Sequence, residues 1–520
     1  MIARRHAYKA AAALGLVLIL LAGRPFESGN PAAAARAARP PNFLVILVDD
    51  QAKNSFSRRY MPRTFRSIVD RGTTFSNGLA APPLCCPDRA GILTGQYPHN
   101  HGVFSNRPGY PALKDPANTL PVWLRRAGYR TGLIGEFLNR YPGARPAPGF
   151  DRWFKLKVRP SGGYYGYSVS DNGRVRQYGD QRGDYSTDVL TRTTRQFLDR
   201  RANSTRPFFL WLTYNAPHVA PRSDVGPCRN QDPIPPDKAA YSAQKHVPLP
   251  RPPSFDELRV SDKPKRIRSL PRFDRPKVED IVRRWHCTLA AMREVDSGVG
   301  RVMSSLRRDG ELGHTIVFYL SDNGYLFGEH RIPAAKGFVY QPALEVPYVV
   351  RVPSAYRAGP APARTDKLVT NQDVAPTLLD YAGRYLPGVE PCAAPAQCRR
   401  MDGRSLAPLL GGAGWPDSRG VLVEIDSRLN PTKRQPRGAP SPECGCAYAA
   451  VRTSRFVYSE LVTGESELYD LKLDPDELRN VASSAGYAAE RQALASRLDR
   501  LRQCSGIEGR DLPSANPFCE

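Results

Sequence analysis

The sequence predicts an α/β fold with a large, mostly parallel central sheet and a small C-terminal α+β subdomain. Two observations support this prediction. Short apolar runs alternate with helix-like stretches through the first four hundred residues, which is typical of helices packed on a parallel sheet. After Leu410 the pattern changes to short strands, tight turns and an amphipathic helix. We therefore expect an export segment with a small-residue linker at 1–38, a main domain at 39–410 and a subdomain at 411–520.

The strands of the main sheet are predicted from apolar runs. Asn42–Val48 is continuously apolar after its first residue, as expected for a parallel strand buried on both faces. Helical periodicity separates the runs and is clear in Cys287–Arg307. The other runs of this kind are Thr131–Ile134, Phe208–Leu212, Thr315–Leu320 and Pro347–Val350.

Two further segments have a different composition and residue pattern. Residues 219–280 are rich in proline and charge and have no steady period, which predicts a long excursion over the surface of the kind that often shapes a site. In the C-terminal part, antiparallel strands are expected at Tyr448–Thr453, Phe456–Leu461 and Glu467–Leu471, before a helix at Ala488–Leu501.

The N-terminus has the features of an export signal. Basic residues, among them Arg4 and Lys9, precede the apolar run Ala10–Gly23, and small residues follow at Ala32–Ala38. The apolar run is short for a membrane span, so we expect a secreted protein without a stable span. An N-terminal membrane anchor that is not cleaved is the alternative.

Cysteine content and charge agree with export. Of the ten cysteines, Cys392 with Cys398 and Cys504 with Cys519 are candidate disulfides, and no spacing resembles a zinc site. The formal net charge of +25 attracts polyanions. Because the chain is exported, we expect a sulfated polysaccharide or an anionic cell wall as partner rather than nucleic acid. Alternatively, the charge serves solubility alone.

Polar side chains follow two of the predicted strands directly. Asp49 and Asp50 come after one strand, and Asp322 and Asn323 come after another. Ligands bind at the carboxyl ends of parallel strands, so these side chains are expected to converge. Oxygen donors alone suit Ca²⁺ or Mg²⁺ rather than zinc. Each acidic pair could also be a helix cap or a turn, but two pairs in equivalent places favour a metal site.

Two more strand ends lead to the same edge. His218 lies just beyond Phe208–Leu212, and Glu136 follows Thr131–Ile134. A single histidine is more often structural, but the position after a buried strand favours a role for His218 in the site.

The segment from Leu84 to Gly95 carries the strongest chemical signal. Pro87 suits the first turn of a helix, so Cys85 would lie at a helix N-terminus, where N–H groups and the helix dipole stabilise negative charge. Arg89 lies one turn further and can reach an anion. The alternative is a disulfide or a buried thiol pair, which requires distant partners because adjacent cysteines rarely bond to each other.

This segment resembles the signature of the sulfatase family, Cys-x-Pro-x-Arg-x-x-x-Leu-Thr-Gly, at every specified position from Cys85 to Gly95. The wider chain resembles the N-acetylglucosamine-6-sulfatase branch over most of residues 42–482. The supporting segments are Tyr97–His101, Tyr164–Asn172, Ser321–Tyr325, Asn371–Leu379, Met401–Leu406 and Glu467–Asp470.

The resemblance implies a sulfatase or alkaline-phosphatase-like sandwich and a set of roles. Cys85 would be converted to formylglycine by a formylglycine-generating enzyme, and the hydrate would be the nucleophile, held by Arg89. His218 and Lys336 would contact the sulfate and the leaving oxygen. A cation, Ca²⁺ in preference to Mg²⁺, would be bound by Asp49, Asp50, Cys85, Asp322 and Asn323.

The implied activity is hydrolysis of O- or N-sulfate esters on a sulfated carbohydrate. Two alternatives remain open at this point. A phosphonate monoester or phosphodiester hydrolase would share the fold and the cysteine motif. A non-catalytic binder of sulfated glycans would keep the basic cleft and lose turnover.

Three positions depart from the family pattern. Glu136 stands where the family has lysine, Asp88 replaces serine, and Gln341 stands where an acid is usual. An ionised, unscreened Glu136 would repel an anionic substrate by several kcal/mol at short range. Glu136 could instead pair with Arg89 or a lysine, could be protonated and donate a hydrogen bond, or could impair or retune the site.

Other residues of the motif region have weaker signals. His99 and His101 could line the pocket or belong to a turn. His330 is expected near the metal, with a turn cap as the alternative. Asp373 is predicted to be a helix cap rather than a catalytic group.

Overall fold

The computed structural model describes residues 39–157, 163–201, 204–221, 226–229, 231–386, 390–392, 398–425, 447–506 and 519–520. The predicted export segment at 1–38 lies outside this range, as do Cys444 and Cys446. None of the helices in the described ranges combines the length and the apolar character that crossing a membrane requires.

A ten-stranded sheet forms the centre of the molecule. Its spatial order is β10-β2-β9-β8-β1-β7-β3-β4-β5-β6. The strands are β1 (Asn42–Val48), β2 (Thr73–Leu79), β3 (Arg130–Gly135), β4 (Arg152–Lys157), β5 (Ser168–Asp171), β6 (Arg174–Gln177), β7 (Phe208–Tyr214), β8 (Thr315–Ser321), β9 (Tyr348–Arg351) and β10 (Arg364–Thr370).

The five central strands β8, β1, β7, β3 and β4 run parallel. The first four were predicted from their apolar runs, and β4 was not. The expectation of a parallel strand at Pro347–Val350 is wrong in direction, because β9 pairs antiparallel with both β8 and β2. The run is nevertheless buried. An apolar run indicates burial on both faces of a sheet but does not indicate the direction of the strand.

Helices cover both faces of this sheet. The α-helices of the described residues are α1 (Pro62–Ser67), α2 (Cys85–Thr94), α3 (Pro98–His101), α4 (Leu120–Arg126), α5 (Ser186–Asp199), α6 (Lys238–Ser242), α7 (Lys265–Arg268), α8 (Arg275–Arg308), α9 (Gln341–Leu344), α10 (Val374–Gly383), α11 (Ala407–Leu410) and α12 (Ala488–Gln503).

Strand β1 shows how the two layers form. Its side chains alternate between faces, so Phe43 and Val45 pack into the core beneath α2, α4 and α10. Leu44 and Ile46 pack on the other face, into the core beneath α5 and α8. Both faces of the strand are therefore dry, and polar groups are placed only where the strand ends.

The segment between β7 and α8 is more than a surface excursion. Its described residues form no helix other than the short α6 and α7, which agrees with the absence of a steady period in the sequence, but Val247, Leu249 and Ile267 are buried. A disulfide between Cys228 and Cys287 attaches the segment to α8. The segment is thus packed onto the main body, although its sequence has no periodic apolar pattern.

A second, antiparallel sheet follows the main one. Its order is β11 (Gly420–Glu424), β12 (Tyr448–Thr453), β13 (Phe456–Leu461) and β14 (Ser466–Asp470), and α12 packs against it. The three predicted strands and the helix are present, and β11 is additional. Disulfides join the predicted partners, Cys392 with Cys398 and Cys504 with Cys519.

His99 connects this second sheet to the main body rather than lining a pocket. Its Nδ1 lies 2.7 Å from Glu424 Oε1, and its Nε2 lies 2.8 Å from the Cys504 carbonyl oxygen. Burial alone would lower the pKa of His99, but the Glu424 carboxylate raises it to about 9. With an acceptor at each ring nitrogen, the imidazolium form fits the site.

The His99–Glu424 pair predicts a pH dependence of stability. Because the pKa of His99 is about 9 in the fold against 6.5 for the free side chain, its contribution is complete below pH 6.5 and is lost as the pH rises through 9. The expected loss is up to roughly 3 kcal/mol. Urea unfolding between pH 6.5 and 9 measures it, and His99→Gln or Glu424→Gln should flatten the profile. An equal slope in the parent and both variants would contradict the prediction.

Candidate active site

The parallel strands place four chain segments at one edge of the main sheet. In register, Val48 of β1 lies beside Ser321 of β8 and Tyr214 of β7, and Gly135 of β3 lies beside Thr213. The residues that follow each strand therefore emerge together, which is the convergence expected from the sequence.

Cys85 lies in the middle of this edge. It is the first residue of α2, and its Sγ is 3.6 Å from Asp49 Oδ1 and 3.5 Å from Asn323 Oδ1. Asn323 Nδ2 donates to Asp50 Oδ1 at 2.7 Å, and the Asp50 N–H donates to Asp322 Oδ1 at 3.3 Å. The five residues predicted to bind a cation are therefore linked by direct contacts.

This cluster has the properties of a site for a hard divalent cation. Asp49, Asp50, Asp322 and Asn323 are at most 3% exposed. Among the described residues no hydrogen-bond partner reaches Asp50 Oδ2. Burial raises the pKa of Asp49 and of Asp322 to about 7, because removal from water destabilises the charged form of a carboxyl group. A cation with two charges bound among these oxygens would relieve that cost, so the residues fit Ca²⁺ or Mg²⁺.

Arg89 supplies the fixed positive charge beneath the cluster. It is one turn after Cys85 on α2, is completely buried, and donates to Asp49 Oδ2 and Asp322 Oδ2, each at 2.7 Å. A third ion pair reaches Glu136 at 2.7 Å, and Nη1 also donates to the Phe137 carbonyl oxygen at 2.8 Å. A single guanidinium thus holds three carboxylates in place.

Glu136 is part of this ion network. Burial would raise the pKa of Glu136, but Arg89 lowers it below its usual range, so the side chain is a carboxylate. Of the alternatives considered from the sequence, pairing with Arg89 describes the geometry and a protonated hydrogen-bond donor does not. The preceding Gly135 has φ +118°, and a Cβ there would lie 1.8 Å from the Thr213 carbonyl oxygen. Only glycine allows the chain to turn toward Arg89 at this point.

Lys336 and His218 lie on the open side of Cys85. Lys336 Nζ is 2.8 Å from Cys85 Sγ and 2.5 Å from Asp50 Oδ1. His218 Nε2 is 3.9 Å from Asp50 Oδ2, while its Nδ1 lies 2.7 Å from the Val219 carbonyl oxygen. The His218 side chain is 27% exposed, so it faces the solvent side of the cluster.

The other two departures from the family pattern do not contact Cys85. Asp88 is buried, and its carboxyl accepts a hydrogen bond from Asn371 Nδ2 at 2.7 Å. Burial raises the pKa of Asp88 well above its usual range. Gln341 accepts a hydrogen bond from Arg452 of the second sheet. Asp88 and Gln341 therefore serve packing rather than the cation cluster.

The remaining motif residues have structural partners. His101 accepts a hydrogen bond from the Val103 N–H at 3.1 Å. His330 pairs with Glu257 at 2.7 Å, so its partner is a carboxylate of the 219–280 segment rather than a member of the metal cluster. Asp373 is a cap, as predicted, and accepts from the Thr370 N–H at 2.8 Å.

Sequence reasoning missed two supports of the site. Tyr164 donates from its hydroxyl to the His218 carbonyl oxygen at 2.7 Å and so holds the loop that carries the histidine. The Phe137 carbonyl oxygen accepts from Arg89. The tyrosine lies in a segment that supports the family resemblance, but its partner is 54 residues away. A backbone acceptor has no signal in sequence.

Comparison with known proteins agrees with this geometry. The Sulfatase family model matches residues 41–384. The N-acetylglucosamine-6-sulfatase of Capra hircus is 33% identical over 91% of this chain and 85% of its own length.

Two solved structures share the fold. A protein in complex with its substrate D-glucosamine-2-N,6-O-disulfate has a TM-score of 0.69 at 22% identity, covering 89% of this chain and 98% of the other. The phosphonate monoester hydrolase of Silicibacter pomeroyi has a TM-score of 0.65 at 24% identity, covering 89% and 95%. At these identities the two structures show the fold and not the activity.

The family match and the curated relative lead to one conclusion. The matched range includes every residue of the cluster around Cys85, from Asp49 to Lys336. The relative covers nearly the whole chain at more than 30% identity, and residues Cys85 to Gly95 carry the family signature. The chain belongs to the sulfatase family and is a sulfuric ester hydrolase.

Proposed function

We propose that this sulfatase removes sulfate from a sulfated amino sugar, with a formylglycine formed from Cys85 and a bound Ca²⁺. The observation that carries the proposal is the position of Cys85. It starts helix α2 and lies within 3.6 Å of oxygens from Asp49 and Asn323 and 2.8 Å from Lys336 Nζ. A nucleophile here faces a cation site on one side and a fixed ammonium on the other.

The substrate class is taken from the relatives. The curated relative at 33% identity is named for N-acetylglucosamine 6-sulfate, and the solved neighbour holds a disulfated glucosamine. The strongly basic composition of this chain, with a net charge of +25, is compatible with a polyanionic glycan. A glucosamine 6-sulfate unit is therefore the first substrate to test.

Each residue of the site has a task in this reaction. When present, the formylglycine hydrate supplies a hydroxyl nucleophile and the cation increases its acidity. Arg89 holds Asp49 and Asp322 in position and balances their charge. Lys336 binds the sulfate oxygens as a cation, which stabilises negative charge that develops on the transferred group. His218 faces solvent and can pass a proton from Nε2 to the leaving oxygen, while Val219 orients its ring.

Maturation and export complete the proposal. A formylglycine-generating enzyme would act on the Cys85-x-Pro87-x-Arg89 core before folding, because Cys85 is buried in the folded chain. Three disulfides, Cys228–Cys287, Cys392–Cys398 and Cys504–Cys519, support passage through an oxidising compartment and secretion.

Sulfate release tests the proposed function directly. The protein secreted by its native host is incubated with N-acetylglucosamine 6-sulfate, and free sulfate is measured by ion chromatography. An aryl phosphodiester and an aryl phosphonate monoester are measured in parallel. We expect sulfate release with the higher kcat/KM. Faster turnover of the phosphorus esters, or no turnover of any sulfate ester by protein that carries formylglycine, would overturn the proposal.

Removal of calcium is expected to inactivate and destabilise the enzyme. After dialysis against a chelator, the four desolvated oxygen ligands repel one another, so we expect sulfate release to fall about 100-fold or more. Added Ca²⁺ at a hundred times its Kd should restore activity and add about 2.7 kcal/mol of stability. Sulfate release and thermal unfolding, each with and without Ca²⁺, measure these effects.

Asp50→Asn provides the control for the metal prediction. The change keeps the shape of a side chain whose Oδ2 has no hydrogen-bond partner among the described residues, and it removes one negative charge. The variant should need a higher Ca²⁺ concentration for the same gain in Tm. Full activity and an unchanged Tm after chelation of the parent enzyme would contradict the prediction.

A further inference from the structure

A cavity of about 430 Å³ adjoins the active site on the β4 side. Its walls are the chain after β3, from Glu136 to Ala144, the end of β4 from Lys155 to Lys157, and Asn106 with Arg107. Glu136 belongs to both places, because its carboxylate lines the cavity and pairs with Arg89 of the catalytic cluster. A cavity of this volume is within the range that holds small ligands.

The cavity wall carries excess positive charge. Arg140, Lys155 and Lys157 line it, and within the described part of the chain no carboxylate forms an ion pair with any of the three. Glu136 is the one acidic residue among the described lining residues, and its Oε2 is bonded to Arg89. The three cations therefore lack a fixed counter-charge.

Lys155 is the clearest example of a positive charge in this cavity without a carboxylate partner among the described residues. The pairing of β3 with β4 places Lys155 beside Gly135, one residue before Glu136. The side chain is partly buried, and among the described residues its Nζ has one hydrogen-bond partner, the Leu156 carbonyl oxygen at 3.4 Å. Burial lowers the pKa of Lys155, with Glu136 opposing that change only in part. An anionic ligand would stabilise a partly desolvated ammonium group of this kind by pairing with its charge.

A second basic pocket at the other edge of the sheet provides a contrast. It is lined by residues at the starts of β3 and β4, including Arg130 and Arg152, and by Arg176 and Arg200. There, Asp171 pairs with both Arg152 and Arg176. The six residues of β3 separate the two pockets by about 20 Å.

We propose that the cavity beside Glu136 binds a second anionic group of the sugar substrate while the sulfate to be cleaved lies at Cys85. The inference rests on the proposed function and narrows its substrate class to sugars that carry at least two anionic groups. Arg140, Lys155 and Lys157 contact the second group, which is a sulfate or a carboxylate on the same or the adjoining sugar. Glu136 lies between the sulfate at Cys85 and the second anionic group, and its ion pair with Arg89 connects the cavity wall to the catalytic cluster.

The test compares substrates with one and two anionic groups. The parent enzyme and the double variant Arg140→Gln/Lys155→Met are assayed on N-acetylglucosamine 6-sulfate, on glucosamine 2-N,6-O-disulfate, and on N-acetylglucosamine 6-sulfate linked to a uronic acid. For the double variant we expect kcat/KM to fall ten-fold or more on a doubly anionic substrate, mainly through KM, and to change less than about three-fold on the singly sulfated sugar. The substrate that loses more identifies the second group as sulfate or carboxylate.

Matched variants separate the proposal from general charge effects. Arg130→Gln/Arg200→Gln removes two charges from the distant pocket and should leave all three substrates within about three-fold of the parent, because attraction at that distance is screened. Lys155→Arg keeps the charge and should retain the preference for two anionic groups. Thermal unfolding of each variant checks that the fold is intact.

Binding to a non-hydrolysing protein keeps the two proposals distinguishable. In Cys85→Ala, the Kd for at least one of the two doubly anionic sugars, glucosamine 2-N,6-O-disulfate or the uronic acid conjugate, should rise ten-fold or more when Arg140→Gln/Lys155→Met is added. This holds whether or not the parent enzyme turns that sugar over. Equal losses on singly and doubly anionic sugars, or a Kd that is unchanged for both doubly anionic sugars, would overturn the subsite. A parent enzyme that binds the disulfate through this cavity but hydrolyses no sulfate ester would overturn the proposed function alone.

Discussion

Replacing Cys85 by alanine is expected to abolish sulfate release, with kcat/KM lower by at least about 10⁴-fold. The residue lies between the oxygen cluster and Lys336, and no other described cysteine, serine or threonine side chain contacts both. Alanine cannot be converted to formylglycine, so the variant has no hydrate to supply the nucleophilic hydroxyl, while Arg89 and its ion pairs stay in place. Initial rates with N-acetylglucosamine 6-sulfate measure the effect, and thermal unfolding shows that the variant is folded.

Cys86→Ala is the matched control. Cys86 is the next residue of α2, is a buried cysteine like Cys85, and packs in the core rather than against the cluster. We expect its kcat/KM within about three-fold of the parent, because a small apolar replacement leaves the site unchanged. In the parent protein, mass spectrometry should find the Cys85 peptide lighter by about 18 Da, as an aldehyde in place of CH₂–SH requires. Retained turnover in Cys85→Ala would contradict the assigned nucleophile.

Replacing Arg89 by methionine is expected to lower both stability and activity. The guanidinium is completely buried and pairs with Asp49, Asp322 and Glu136. Its removal leaves three carboxylates without their counter-charge, which costs about 3–5 kcal/mol in measured cases of this kind. Because two of these carboxylates, Asp49 and Asp322, line the cation site, sulfate release by the folded fraction should also fall by about 100-fold or more. Urea unfolding and initial rates measure the two effects.

Arg419→Met is the control that separates the loss of stability from the loss of activity. Arg419 is also completely buried and pairs with a buried carboxylate, Asp373, but it lies between the main body and the second sheet. We expect a comparable loss of stability with unchanged kcat per folded molecule, since none of its partners contacts Cys85. If Arg89→Met were as active as Arg419→Met, the role of Arg89 in the site would be wrong.

Part of the fold was predictable because buried strands have an unambiguous pattern. β1 and β8 are apolar except at their ends, and both were placed to within one residue. β2 and β10 were missed, since polar residues such as Asn77 and Asp366 interrupt them near the edge of the sheet, where one side faces water. The direction of β9 was also not readable, because burial on both faces gives the same apolar run in either direction.

The chemistry of the site was likewise predictable from the sequence only in part. The residue types at the strand ends and the signature around Cys85 were sufficient to predict the family, an oxygen-rich cluster and a nucleophile at a helix N-terminus. The state of Glu136 was not predictable, because it depends on a guanidinium 47 residues away and on the burial of both groups. Likewise, the charge of Lys155 has a functional meaning only next to a cavity that the turn after β3 creates.

The sequence by itself determined the elements of this protein that are local or repeated in pattern: the buried strands, the helix that begins at Cys85, the polar residues at the strand ends and the family signature. The tertiary structure decided which charges meet. Coulomb energies depend on distance and on desolvation, and both are properties of the folded chain. For that reason Arg89 with its three carboxylates, His99 with Glu424, and the group formed by Arg140, Lys155 and Lys157 around the cavity beside Glu136 became visible only in three dimensions.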